Sequence, residues 1–583
     1  MYILGLSAMG HHSAAALLGD SGILAAIEES KLTRNRVASG IPREAIRFCL
    51  HRAGIEWNQI AHIAIASNPR SAWKRQTLFR ARRAAVAPVE NGYFLNKALG
   101  ELGRELNNER LVKQMSVGGS GSSAAQVESF DHHLCHAASA FYASPFDQAL
   151  IVTLDELGDG RSGFVGLGNG PEIRELVSLA FPNSLAYVYS QVTRLVGYQP
   201  RSDEHKTQWL SLEGTPTYKD AFLDILHREP SGPPHIDPKF FTRTFGAELS
   251  FTPQFYRRMQ LPVPNAKSPA SAAPPLSHEQ RANIAASLQS AMEDVVCDWL
   301  AALRAQHNAK SVCLAGGLFL NPLLVAAVES RAGFERVFAQ PAAGNEGAAL
   351  GAAWLALHRH TKLPRSAAEM SAPFWGPAFS NQEIKEVLDN CKATYHFCDT
   401  DAHKIDTAAH LLRSGKIVGW FQGAAEFGPR ALGHRSLLAS PWAEYVTENL
   451  NDYVKHREAF RPFALSITAE DAPRYFHASP NARFLTTMAT ATDEGRALLG
   501  ALPRGFLLPG NLVRLHVVRE ADNPTYYKLL KHVGDGAPAP MLVNASFNLF
   551  GEPLVITPRD AVRSYFCSGV DALLAGSFLL QKK

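Results

Sequence analysis

HHLCHAASAFYASPFDQALIVTLDELGDGRSG, residues 132–163, is the stretch that decides the fold. Its first part, from about His132 to Tyr142, follows a helical pattern. Ala149 to Leu154 is then an unbroken apolar run of strand length, which reads as a buried strand of an α/β sheet. Asp155 ends that strand, just before a Gly-containing turn. His132 and His136 are four residues apart, so on a helix both imidazoles lie on one face within reach of one cation. His133, between them, points elsewhere. A carboxylate at the C-terminal end of a strand is placed to hold a metal or meet a phosphate. A histidine pair alone is weak ground, since surface coincidence yields many such pairs. With Asp155 added, the stretch predicts a metal site.

The same alternation extends outward. Tyr2–Leu6 and Ala14–Leu18 are apolar strands separated by the turn SAMGHHS, and Gly19-Asp20-Ser21-Gly22 makes a hairpin with Ile23–Ile27. Ile41–Ala53 is helical and Ala61–Ala66 is a strand. Ser116–Ser123, rich in Gly and Ser, and Ser268–Leu276, rich in Ala, Pro and Ser, read as loops. Glu279–Leu303 is a long amphipathic helix, followed by strand Ser311–Leu314, a Gly-Gly turn and helix Pro322–Ser330. Prolines 364, 373 and 377 mark a boundary, giving expected domains of residues 1–365 and 366–583, both α/β.

Composition narrows the function. Of 583 residues, 46% are apolar and 19% charged, a globular balance that argues against disorder. Lys plus Arg (58) against Asp plus Glu (54) is too even for a dedicated nucleic-acid binder. The one basic run, Arg70, Lys74, Arg75, Arg80, Arg82 and Arg83, reads as a solvated helix face, with an anionic partner as the alternative. Seven scattered cysteines without a CxxC pair exclude a zinc ribbon and fit a reducing, cytoplasmic setting. MYILGLSAMG lacks the basic start of a signal peptide, and no apolar run reaches the length of a membrane span. A homodimer is the default expectation for a chain of this kind.

Three further motifs carry chemistry. GGLFLN, residues 316–321, sits between a strand and a helix, where glycines let main-chain N–H groups approach a phosphate; a structural turn is the plain alternative. The run 340–353, QPAAGNEGAALGAA, repeats that design with a small-residue helix that permits close backbone approach. His11 lies in a turn between strands, as either a working side chain or a polar turn residue. In the second half, GWFQGAAEFGPRALGHRSLLASP (419–441) carries Arg430 and Arg435, and KHREAFRPF brings Lys455, Arg457 and Arg461 among phenylalanines. Arg514 lies on the expected apolar strand Leu512–Val518, and NASFNLFGEP (544–553) supplies Asn544, Ser546 and Asn548. Arginines embedded among apolar residues demand an anion, and phosphate suits their fork. The set reads as a pocket for a phosphate-bearing small molecule, against buried structural salt bridges.

These motifs, with ILGLSAMGHHSAAALL, EESKLTRNR and YVYSQVTRLVGYQPRSDEHK, occur in the order found in the O-carbamoyltransferases of antibiotic, nodulation-factor and toxin biosynthesis, and the chain resembles that family over nearly its whole length. The resemblance implies an N-terminal actin/Hsp70-like ATPase fold and a C-terminal α/β domain like the threonylcarbamoyl-adenylate synthases. It implies that the C-terminal domain forms carbamoyl-adenylate and pyrophosphate from carbamoyl phosphate and ATP, with magnesium accompanying ATP. The N-terminal domain then passes the carbamoyl group to a hydroxyl of a small-molecule acceptor and releases AMP. By matching position, His132, His136, Asp155 and Asn345 would hold iron(II) or zinc. His11 would be the general base, with Lys206 a second catalytic candidate. Glu204, Gly316, Gly317 and Asn321 would line the adenylate site. Arg430, Arg435, Lys455, Arg457, Arg461, Arg514, Asn544 and Ser546 would form the activating pocket.

The chain departs from the family pattern at named places. His12 stands where Asp is usual, Asn345 where a ligating Asp is usual, Arg36-Val37-Ala38 where Lys-His-Asp is common, and Glu156 where Gly follows the strand carboxylate. An amide ligates more weakly than a carboxylate, so the resemblance implies a weakened metal site. Altered N-terminal chemistry, such as N-carbamoylation, and a non-catalytic nucleotide-binding protein are the alternative functions.

Overall fold

A computed structural model describes residues 1–8, 12–70, 125–229, 232–241, 251–264, 276–361, 365, 370–503 and 505–582, with five positions between 103 and 112. The chain forms two compact units: Met1–Gly10 with Trp57–Ala368, and His11–Glu56 with Glu369–Lys583. The units are therefore not consecutive stretches, because residues 11–56 group with the C-terminal part.

The first unit is built around the sheet that contains strand Gln148–Gly158. Arg161–Asn169 and Glu172–Ala180 follow it as an antiparallel meander on one side. On the other side, Ser311–Ala315 and then Arg336–Ala339 run parallel to it. Counted along the chain, the spatial order is 3-2-1-4-5, the sheet order of the actin/Hsp70-like ATPase fold. In the same unit Tyr2–Ser7, Ile60–Ile65 and Gln126–Ser129 pair in parallel. The expected buried helix is His132–Ala143, started by Asp131, whose side chain accepts from Leu134 N. The expected long helix is His278–His307, opened by a Ser277/Gln280 capping box.

Small residues set the packing of helix Asn345–His360. A Cβ on Gly351 would lie 1.8 Å from Cys135 O, and one on Gly5 would lie 2.0 Å from Ala349 O. Glycine there lets this helix press against both the histidine helix and strand Tyr2–Ser7, as the run GNEGAALGAA predicts.

The second unit contains the hairpin Ala14–Gly19 with Gly22–Glu28, helices Glu29–Thr33 and Arg43–Ala53, and a mixed eight-stranded sheet. At the centre of that sheet Val418–Phe421, Arg435–Ala439, Met541–Ser546 and Ala464–Thr468 are successive antiparallel neighbours. Leu515–Val518 pairs in parallel with Ala464–Thr468. The apolar stretch 512–518 is not one strand. Leu512–Val513 joins a separate three-stranded sheet and Leu515–Val518 the large one, so Arg514 stands at the switch between them. An apolar run carries no local sign of such a break.

All seven cysteines are free. Among the described residues no helix is long and apolar enough to cross a membrane.

Candidate functional sites

In the first unit, the histidine helix and strand Gln148–Gly158 converge. His136 Nε2 is 3.0 Å from His132 Nε2 and 3.1 Å from Asp155 Oδ2, and His132 Nε2 is 3.6 Å from the same oxygen. Both rings are buried and stand edge to face, interplanar angle 85°. A point about 1.9 Å from all three atoms lies inside this triangle, so a cation at ~2.0–2.1 Å, as in zinc–imidazole bonds, sits just off its plane. The donor set of two imidazoles and one carboxylate fits iron(II) or zinc. His132 Nδ1 faces Ala66 O at 3.3 Å, which fixes the tautomer that leaves Nε2 free to ligate. Burial would raise the Asp155 carboxyl, but hydrogen bonds from His132 and His136, with their charges, hold it well below the usual range. His133 turns away to Thr153 Oγ1 at 2.8 Å, and burial pushes its pKa down to about 3.

Several glycines make room for this cluster. A Cβ on Gly158 would lie 1.9 Å from His132 Cδ2, and one on Gly317 would lie 3.1 Å from Asp155 Oδ1. Gly316 (φ 91°) leaves no room for a Cβ against Leu154 and donates its N–H to Ala343 O. The Gly-Gly turn therefore abuts the Asp155 carboxylate. Asn345, which opens its helix, acts on the His136 ring and favours its charged form, against burial and the His132 charge that lower its pKa. Glu156 forms two 3.0 Å contacts with Arg201 Nε, and the Arg201 N–H donates to Glu204, which also accepts from Ser190 Oγ. Burial raises the Glu204 pKa. Lys206 pairs with Asp203 at 3.3 Å. Asn321 is committed locally: Oδ1 caps the N–H groups of Leu323 and Leu324, and Nδ2 donates to Gln289. His11 lies outside the described residues, as do positions 74–83 of the basic run.

The second unit gathers the cations. Arg514 is held well below its ordinary range, first by burial and then by the charges of Arg430, Arg457 and Arg461. Burial, then Arg461, pushes Arg457 down to about 9 and Arg430 down to about 10. Lys455 is depressed by burial and by Arg457 and Arg461. Glu458 lies 3.9 Å from Arg461, and its charge raises the Arg457 pKa against these effects. Lys455 Nζ donates to Asn548 Oδ1 (2.7 Å), Asn548 O (3.0 Å) and Ser546 O, tying KHREAFRPF to NASFN. Asn544 and Ser546 share one face of their strand; Asn544 Nδ2 donates to Ala431 O at 3.1 Å in the Arg430 loop.

Arg435 behaves differently. It is buried, lies 3.8 Å over the Phe421 ring, and donates to the carbonyls of Gln422, Gly423 and Pro377. Its guanidinium is spent on main chain, which the sequence pattern did not separate from the other arginines. The pattern also missed Glu426. This buried carboxylate accepts from the N–H groups of Leu432 (2.8 Å), His434 (3.0 Å) and Arg435 (3.1 Å), and so folds the loop that carries Arg430.

Carbamoyltransferase N-terminus matches residues 2–354 and Carbamoyltransferase C-terminus matches 409–582. The chain is 32% identical to the uncharacterized protein sll1178 of Synechocystis over all of its own length and 97% of that protein. It is 30% identical to nodulation protein NolNO of Sinorhizobium fredii, over 98% of this chain and 79% of that one. A 3'-hydroxymethylcephem-O-carbamoyltransferase of Streptomyces clavuligerus is 29% identical over 40% of this chain and 41% of that one. This chain belongs to the carbamoyltransferase family, and it is an enzyme of that transferase class.

Proposed function

We propose that the protein is an ATP-dependent O-carbamoyltransferase that makes carbamoyl-adenylate in its second unit and uses it to carbamoylate a hydroxyl of a natural product. The observation that carries this reading is the cluster Arg430, Lys455, Arg457, Arg461 and Arg514, in which burial and the neighbouring cations depress Arg430, Lys455, Arg457 and Arg514. Such a cluster is costly unless polyanions enter it, and ATP with carbamoyl phosphate are two polyanions that repel each other in water. Water opens the mixed anhydride of carbamoyl phosphate and releases phosphate; the carbamate oxygen attacks the α-phosphorus of ATP and pyrophosphate leaves. Guanidinium forks orient these phosphates and offset the charge that develops. The acceptor hydroxyl then takes the carbamoyl group and AMP departs.

Apart from Arg435 and Asn321, which are taken up by local hydrogen bonds, the expected site residues keep their roles in this proposal. His132, His136 and Asp155 would hold the cation, with Asn345 supporting His136. That group supplies Lewis-acid polarisation when bound. The Gly316–Gly317 turn would pack beside the adenylate near Asp155, and Glu204 and Lys206 stand in the same unit. His11 is the proposed general base. The cephem relative's name supports oxygen as the acceptor atom.

Incubation with carbamoyl phosphate and ATP should release one pyrophosphate per carbamoyl-adenylate formed. With an alcohol acceptor present, mass spectrometry should show one carbamoyl group gained on oxygen. Absence of pyrophosphate release would remove the proposal.

A further inference from the structure

The short helix Glu29–Thr33 lies early in the chain, yet it folds with the second unit. Lys31 is 5% exposed, and Nζ donates to Glu426 O (2.7 Å) and Gly428 O (2.8 Å) while pairing with Glu28 at 2.9 Å. Glu28 Oε1 in turn accepts from Gly428 N at 2.8 Å. These two side chains therefore grip the main chain on both sides of Phe427, three residues before Arg430. A buried ammonium and carboxylate need polar partners, and here the loop supplies two carbonyls to Lys31 and an N–H to Glu28 Oε1. Arg34 makes a second grip: Nη2 donates to Pro553 O (2.9 Å) and Glu552 Oε2 (3.0 Å), and Nη1 donates to Leu554 O. Glu552 O accepts from Asn548 Nδ2 at 2.8 Å, and Asn548 is the residue that receives Lys455.

The adjoining strand adds main-chain ties. Ala26 N donates to Trp375 O, Gly376 N to Ala425 O, and Ala425 N to Pro377 O. Segment 373–377 is thus laced to the hairpin on one side and to the Arg430 loop on the other.

We propose that Lys31 and Arg34 are positioning residues for the cation cluster: from the N-terminal segment they set the two loops that present Arg430 and Lys455 to phosphate groups. This rests on the cluster being a polyanion site, as proposed above. It adds that residues outside the matched C-terminal region 409–582 fix that site's geometry.

The test uses the full chain and inorganic pyrophosphate as the probe, measured by isothermal titration well below the unfolding temperature. Lys31→Met should weaken pyrophosphate binding by about tenfold or more, about 1.4 kcal/mol. Metal content should stay at the wild-type level, and Lys31→Arg, which still donates to two carbonyls, should recover most of the loss. Should Lys31→Met not fold, Arg34→Gln, at a partly exposed position, takes its place with the same expectation. Equal pyrophosphate affinity in the wild type and a folded variant would overturn the inference while leaving the polyanion site intact. No binding by the wild type would overturn that site, and this inference with it.

Discussion

Replacing Arg457 by methionine should stabilise the ligand-free protein while weakening its hold on pyrophosphate. Burial and Arg461 push the Arg457 guanidinium from 12.5 down to about 9. At about 1.4 kcal/mol per pH unit, that displacement corresponds to about 4–5 kcal/mol of disfavoured charge in the folded state. For a cation whose folded pKa lies below its unfolded one, this cost is fully present at pH 7. It is relieved only as the pH rises from about 9 towards 12.5. Two contacts work the other way. Arg457 Nε donates to Asn451 Oδ1 at 2.8 Å, worth about 1 kcal/mol, and the guanidinium lies 4.2 Å over the Phe463 ring, worth about 1–2 kcal/mol. The net expectation is a gain of about 1–3 kcal/mol without ligand. Loss of a charge-assisted hydrogen bond to phosphate should cost about 1.5–3 kcal/mol, roughly 10–150-fold in Kd. Calorimetric unfolding with and without pyrophosphate, together with titration calorimetry, reads both effects. A variant that melts earlier than wild type and still binds pyrophosphate with wild-type affinity would refute the reasoning, because the cluster would then be structural.

Arg435→Met should do the opposite. It leaves the carbonyls of Gln422, Gly423 and Pro377 without their donor, so unfolding should come earlier by about 3–5 kcal/mol, with or without pyrophosphate, in the same calorimetric scan. Gly158→Ala would set a methyl 1.9 Å from His132 Cδ2. The displaced ring should lower metal affinity about 10–100-fold, measured by chelator competition and elemental analysis. Asn345→Asp places a carboxylate beside His136, and the same competition should show at least about tenfold tighter metal. Unchanged affinity would separate residue 345 from the metal site.

Much of the fold is legible locally. Helix His132–Ala143, strand Gln148–Gly158 and helix His278–His307 follow from apolar period and Ser/Asp caps, all short-range signals, but the strand continues beyond the end expected at Asp155. The grouping of His132, His136 and Asp155 was also legible, because four-residue spacing puts two side chains on one helix face and the third lies on the next strand, which runs past it to Gly158 instead of ending there. Arg514 was misplaced on a single strand because an apolar run gives no sign that it changes sheets after Val513. Arg435 looked like Arg430 in sequence. Only the positions of three carbonyls show that it is occupied by the main chain.

By itself, the sequence determined the residue types: imidazoles and a carboxylate at coordinating spacing, and cations set among apolar residues where water does not neutralise them. Tertiary structure alone decided which charges meet. Glu28 and Lys31 find their partners some 400 positions along the chain, at Glu426 and Gly428. Contacts of that separation leave no periodicity in the sequence, since they are set by how the sheets and loops close in space and not by the rise of any one element.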